Sequence, residues 1–193
     1  MLSLLEKNRS YRRFFADRPV PADALLDMAR AVRLSGSAGN LQRIRLVFIN
    51  EPEECARVFS TLRFAAYLKD WDGPAPDERP TAYAVFLTEA QPDKTLGIDI
   101  GIAAQSLLLT ASERGLGGCI FGSFSAEGLA AATELYGLVP AIVVALGVPR
   151  ETAVVTDVKD GDIKYYREAD GTHTVPKRAL SEIVLRAPFD KNQ

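Results

Sequence analysis

The sequence predicts an α+β fold over residues 1–193, a mixed sheet covered by helices and read as one domain. Three observations carry this. Runs of apolar residues at helical spacing alternate with short β-branched runs, but without the regular strand–helix–strand cadence of a doubly wound sheet. A chain of 193 residues with 47% apolar and 25% charged residues is long and greasy enough to bury a sizeable core. An Asp170-Gly171 turn signal between two strand-like runs marks a late hairpin.

The elements follow in order. Residues 2–8 read as a short helix. Within 18–36, Pro21 suits a first turn, Leu25, Leu26, Met28, Ala29 and Val32 fall at helical spacing, and Gly36 is a stop. Residues 35–42 form a small polar loop, 45–50 a buried strand ended by Pro52, and 52–71 one helix. The proline-rich stretch 72–80 is a loop, and 83–89 a strand. Residues 95–118 are apolar on nearly every face from Ile98 to Ala111, so this helix is expected to be central or covered by a partner subunit, ending at Glu113, Arg114 and Gly115. A strand at 119–124, a helix near 125–136 and a buried strand at 141–149 follow. The hairpin closes at Val175, and 176–186 opens with a proline and runs into a helix.

Composition excludes several classes. With a formal net charge of −2 there is no basic excess for general nucleic-acid binding, so the arginines are expected to serve one site. Two cysteines, Cys55 and Cys119, make no disulfide framework. No charged start leads into an apolar run, so no signal peptide is expected. The apolar stretch 100–111 is too short and interrupted to span a bilayer, and a reducing cytoplasm is the expected location.

The stretch "NRSYRRF" (8–14) packs three arginines and a serine into five positions, 9–13. An arginine fork matches two phosphate oxygens and a serine hydroxyl adds a third bond, so Arg9, Ser10 and Arg12 could nest an anion. A second basic pair, Lys177 and Arg178, would complete a site for a dianionic phosphomonoester if the fold brings it near. The same residues also suit a solvated basic face. The chain has no GxxxxGK[ST] loop, and "GLGGCIFG" (115–122) neither fits GxGxxG nor runs from strand to helix.

Side-chain catalysis has little support. His173 is the only histidine, which excludes a histidine-rich metal site, and there is no GxSxG elbow. An ordinary hydrogen-bonding role is expected for His173, a buried inert thiol for Cys119, and a helix-dipole role for Asp99. No side chain is assigned as catalytic, and no metal is expected. A phosphate clamp without reactive side chains points to a cofactor that carries the reactive atom. "SGSAGN" and "GCIFGS" are loops small enough for a flat ring to approach.

Four stretches taken together resemble the FMN-dependent nitroreductase family, as one of its short members: "NRSYRRF", "SGSAGNLQ", "DIGIAAQSLLLTASERGLGGCIFGSF", and "VALGVP" with the later "VPKRAL". The resemblance implies a mainly antiparallel central sheet flanked by helices and an intertwined homodimer with flavin at the interface. It assigns phosphate and ribityl contacts to Arg9, Ser10 and Arg12, and a returning basic pair to Lys177 and Arg178. It gives the ring-facing loop of the other subunit to Ser37, Ala38, Asn40 and Gln42, and the backbone facing the flavin's reactive nitrogen to Gly122 and Ser123. Arg43 stands where the family usually has a proline, and is expected to add positive charge near the ring or substrate.

The implied activity is hydride transfer from NADH or NADPH to FMN, then reduction of a small-molecule electron acceptor such as a nitro compound or quinone. A non-catalytic flavin-binding or regulatory dimer, and a specialised relative that dehalogenates or fragments flavin, stay open. Phe64, Tyr67 and Trp71 are candidates for a substrate pocket or for core.

Overall fold

The structure is a computed structural model and describes residues 1–64, 67–68, 71–186 and 188. Its helices are α1 (Leu2–Lys7), α2 (Ala22–Leu34), α3 (Pro52–Phe59), α4 (Lys94–Glu113), α5 (Ala126–Thr133) and α6 (Leu180–Ile183). Its strands are β1 (Arg45–Ile49), β2 (Ala82–Thr88), β3 (Gly117–Phe121), β4 (Val139–Gly147), β5 (Ala153–Asp157), β6 (Tyr166–Arg167) and β7 (His173–Lys177). Four strands form a fully antiparallel sheet in the order β1-β2-β4-β3. The other three form a small mixed sheet, β5-β7-β6, with β5 and β7 parallel.

Every residue of β2 is buried, because the large sheet is covered on both faces. Side chains alternate across a strand, so Ala82, Ala84 and Phe86 face one core with α2 and α4. Tyr83, Val85 and Leu87 face the other core with α3 and α5. Phe86 and Leu107 are fully buried in the first. Each such side chain contributes about 1.5–3 kcal/mol by leaving water.

The long helix α4 is anchored at its start by Asp93, whose carboxylate accepts the Leu96 N–H at 2.7 Å. It ends where Gly115 takes a left-handed φ of 71° and Leu116 N–H reaches back to the Ala111 carbonyl at 2.9 Å. By length and composition its 20 residues are long and apolar enough to cross a membrane, a test that the core helix of a soluble protein also passes. Here, Leu96, Ile100, Ala103, Leu107 and Ala111 bury one stripe in the core. The opposite stripe, with Ile98 and Ile102, is exposed.

Two expectations are corrected. The helix expected over 52–71 stops at Phe59. Thr61 turns its hydroxyl onto the Val58 carbonyl at 2.7 Å, Leu62 bridges to Phe124, and Arg63 N–H donates to the Ser123 carbonyl. Pairing with the chain after β3 outcompetes helix continuation in a Ser60-Thr61 pair that favours local side-chain bonds. Positions 65, 66, 69 and 70 of that expectation lie outside the described residues. The second correction is β7, which runs through Pro176 to Lys177 where a helix was expected. Pro176 sits beyond the end of β6, where only β5 continues alongside it. The strand β5 was not anticipated.

Glycine is required where the N-terminal segment meets the sheet. A Cβ on Gly118 would lie 2.6 Å from the Ala145 carbonyl oxygen and 2.7 Å from Leu108. Gly118→Ala is therefore expected to destabilise the fold by about 1–3 kcal/mol through overpacking, read as a lower urea midpoint.

Candidate functional site

The cationic segment is held as a strap. After α1, Ser10 bridges in parallel to Gly118, and Tyr11 N–H donates to the Gly118 carbonyl at 3.1 Å. Farther on, Phe14 is fully buried, bridges to Pro149, and donates its N–H to the Glu78 carbonyl at 2.9 Å. Between these anchors, one carboxylate fixes the backbone. Glu151 Oε1 accepts the Arg12 N–H and, at 3.1 Å, the Arg13 N–H. Its Oε2 pairs with Arg167 at 2.7 Å, and the Glu151 side chain is 3% exposed. Trp71 lies under the guanidiniums of both Arg13 and Arg167, 5.8 and 5.2 Å from its ring.

A cleft of about 270 Å³ opens beside the strap, lined by Arg9, Ser10, Arg12, Tyr165, His173 and Lys177 among others. The structure thus brings four of the five expected phosphate residues together. Arg178 is not among the lining residues; its guanidinium pairs with Glu182 at 3.1 Å. Arg9 donates to the Leu5 carbonyl, and its Nε is buried without a partner. Arg12 Nη1 donates to the Ser10 carbonyl at 3.2 Å, lies 3.2 Å from His173 Nε2, and the guanidinium stacks 4.8 Å over Tyr165. Among the described residues no carboxylate forms an ion pair with Arg9, Arg12 or Lys177. Three unpaired cations around one cleft are the donor set that a phosphate dianion needs.

The small-residue loop lies elsewhere. Ala38 N–H donates to Asp99 Oδ1 at 3.0 Å, and Ser37 Oγ accepts the Gln42 N–H at 3.3 Å. Gly39, Asn40 and Gln42 all take left-handed φ values, 57°, 55° and 49°. Asp99 is buried in the second turn of α4, so the dipole role expected for it falls to Asp93. Ser37, Gln42 and Asp99 border a second cavity of about 400 Å³ among α2, α4 and β1. Arg43 is drawn onto Asp93 by two bonds of 2.8 and 3.3 Å, which hold the Asp93 carboxyl down at about 2. The extra positive charge expected from Arg43 is thereby neutralised.

Loop and cleft sit at opposite edges of the large sheet. The loop enters β1, the strap joins β3, and β2 and β4 lie between them. Three strand spacings of about 4.8 Å put at least about 14 Å between these edges. Gly122 and Ser123 are exposed just beyond β3, at the end of the sheet where β1 starts. Phe64 packs on Phe59, Phe121 and Trp71, and Tyr67 on Tyr165. Phe64 is enclosed by these rings, whereas Tyr67 meets Tyr165 edge-on and is 54% exposed.

Both thiols are buried and free, with Cys55 pushed up to about 11 and Cys119 also raised, in each case chiefly by burial. His173 is 1% exposed and held down at about 4, first by burial and then by the Arg12 charge. Glu151, Tyr165 and His173 belong to this corner and were not anticipated as site residues.

The nitroreductase family profile matches residues 5–148. Solved structures share the fold at low identity. A nitroreductase family protein from Clostridium difficile 630 is 20% identical, with a TM-score of 0.62 over 78% of this chain and 85% of its own. An FMN-dependent nitroreductase from Clostridium difficile R20291 is 17% identical, with a TM-score of 0.63 over 88% of this chain and 94% of its own. The FMN-dependent nitroreductase of Mycobacterium smegmatis, solved in complex with NADPH, is 15% identical, with a TM-score of 0.62 over 77% and 87%. No curated protein sequence matches this chain.

Two outcomes are expected from this geometry. Glu151→Ala strands the Arg167 guanidinium and frees the Arg12 backbone, and should destabilise the protein by about 3–5 kcal/mol in chemical denaturation. His173 is lowered in the folded state, so the unfolded chain binds more protons between its ordinary value of about 6.5 and the folded value of about 4. Its contribution to stability is complete above pH 6.5 and is lost as pH falls towards 4, so the Tm of His173→Gln should fall less steeply with acid than that of the parent. With an antiparallel sheet flanked by helices and a profile match over most of its length, this chain belongs to the nitroreductase family.

Proposed function

We propose that this chain is an FMN-dependent oxidoreductase that works as a homodimer. It takes hydride from NADH or NADPH and passes reducing equivalents to a small-molecule acceptor such as a nitro compound or a quinone, in ping-pong order. The observation that carries this reading is the convergence of Arg9, Arg12 and Lys177, unpaired with any described carboxylate, on one cleft with Ser10. Such a donor set fits a flavin phosphate. The cofactor, when bound, supplies the redox chemistry.

The chain's own residues bind and orient. Arg9 and Arg12 offer guanidinium forks to the phosphate, Ser10 its hydroxyl, and Lys177 a point charge. Gly122 and Ser123 offer exposed backbone beyond β3 for the ring. Ser37, Ala38, Asn40 and Gln42 come from the other copy in this reading. That assignment is supported by their position across the sheet from the cleft of their own chain. The exposed stripe of α4, with Ile98 and Ile102, is an apolar face suited to a second copy. No side chain is given a general-acid role.

Purified protein should bind FMN with a flavin absorbance that bleaches on addition of NADH or NADPH; absence of flavin absorbance after added FMN overturns the reading. Arg9→Ala with Arg12→Ala removes two charge-assisted contacts of about 1.5–3 kcal/mol each, so FMN affinity should fall about 100-fold or more. Riboflavin, which lacks the phosphate, should be nearly unaffected. Ile102→Glu should shift the protein to monomer in analytical ultracentrifugation.

A further inference from the structure

The cleft contains a group that the phosphate reading does not use. His173 lies on β7 with Val175 and Lys177, on the face that lines the cleft, since side chains repeat every second residue along a strand. Its backbone is fixed, with its N–H donating to the Thr152 carbonyl at 2.8 Å. Its ring rests 5.2 Å from Tyr165. Among the described residues, Arg12 is the ring's only hydrogen-bond partner, because Nδ1 is buried without one.

We propose that His173 is a positioning residue for cofactor binding: its neutral Nε2 accepts from Arg12 Nη1 and aims that guanidinium into the cleft. The proposal rests on the reading of the cleft as the FMN phosphate site.

An arginine has four flexible side-chain torsions, and a site that must find its arginine pays in lost rotamer freedom. Here Arg12 is held on three sides before any ligand arrives. The Ser10 carbonyl and the His173 nitrogen take Nη1, Tyr165 takes the flat face, and Glu151 holds the backbone. A carboxylate in place of the imidazole would fix Arg12 as well, but would cancel its charge. A neutral acceptor fixes the direction and leaves the charge for the ligand.

The charged surroundings keep the ring neutral. Arg12 stands in front of it, Arg167 is its partner on β6, and Lys177 and Arg9 line the same cleft. Glu151 is the one carboxylate acting on the ring's charge, and it is already paired with Arg167. On the β5 side the neighbour is Ala153, which carries no charge. Burial and the Arg12 charge hold the ring below its ordinary titration range. To accept at Nε2, the ring carries its proton on Nδ1.

The test compares FMN and riboflavin binding by flavin fluorescence at neutral pH, in full-length protein whose folding is verified by circular dichroism. Glutamine can place its Oε1 near the position of the imidazole Nε2, whereas asparagine is too short and reaches only the Nδ1 position. His173→Gln should keep FMN affinity within about threefold of the parent, and His173→Asn and His173→Ala should each weaken it about tenfold, the effect of losing one modest hydrogen bond. Riboflavin affinity should not change in any of them. In an Arg12→Ala background, His173→Ala should add less than a twofold loss, because His173 acts through Arg12.

A further tenfold loss in that background, equal losses for FMN and riboflavin, or parental FMN affinity in His173→Ala would each overturn the positioning role while leaving the phosphate cleft standing. Parental protein that binds FMN no tighter than riboflavin would overturn the cleft assignment and this role with it.

Discussion

The carboxylate of Glu151 is the constraint on which the cationic corner depends. Arg9, Arg12 and Arg13 carry like charges close together, and local bonds such as Arg12 to the Ser10 carbonyl and Tyr11 to the Lys7 carbonyl neutralise none of them. Glu151 supplies the hold from far along the chain, accepting two consecutive N–H groups and pairing with a third arginine, Arg167. It neutralises Arg167, which is not among the cleft-lining residues, and bonds only the backbone of Arg12, which is. The division matters, since a carboxylate on the guanidinium of Arg12 would have met the need for an anion internally.

The large sheet explains where the rest of the site must be. Covered on both faces by helices, it carries the two candidate binding segments at its opposite edges. The β3 edge carries the strap and its cleft, and the β1 edge carries the left-handed loop tied to Asp99. A ligand that touched both groups in one chain would have to cross the sheet. In the proposed homodimer, two copies facing each other through the open stripe of α4 would relieve that conflict.

How much of this was legible in the sequence depends on the range of each signal. The elements carried by periodicity were legible: α2, α4, β2 and β4 lie within a few residues of their expected places. Arg9, Ser10 and Arg12 could be singled out because their chemistry is concentrated in four positions, and the structure sets them on one cleft. His173 was not, because the hairpin strand was ended at Val175 and a helix begun at Pro176. Extended by two residues, the same strand sets His173, Val175 and Lys177 on one face. Glu151 had no local signature at all, since the two strap N–H groups it accepts belong to residues 138 and 139 positions away along the chain. The helix expected over 52–71 failed for a similar reason. Its apolar spacing continues past Phe59, but the pairing of Leu62 with Phe124 is a tertiary choice that periodicity does not encode.

The same long separations impose an order on assembly. Arg12 is bound by Glu151 and by His173, 139 and 161 positions downstream. During synthesis the strap therefore leaves the ribosome well before either of its holders exists, and loop closure over such distances is slow. The strap is thus fixed by residues made long after it. Until Glu151 is in place, Arg9, Arg12 and Arg13 lack the carboxylate that holds their strap in the fold.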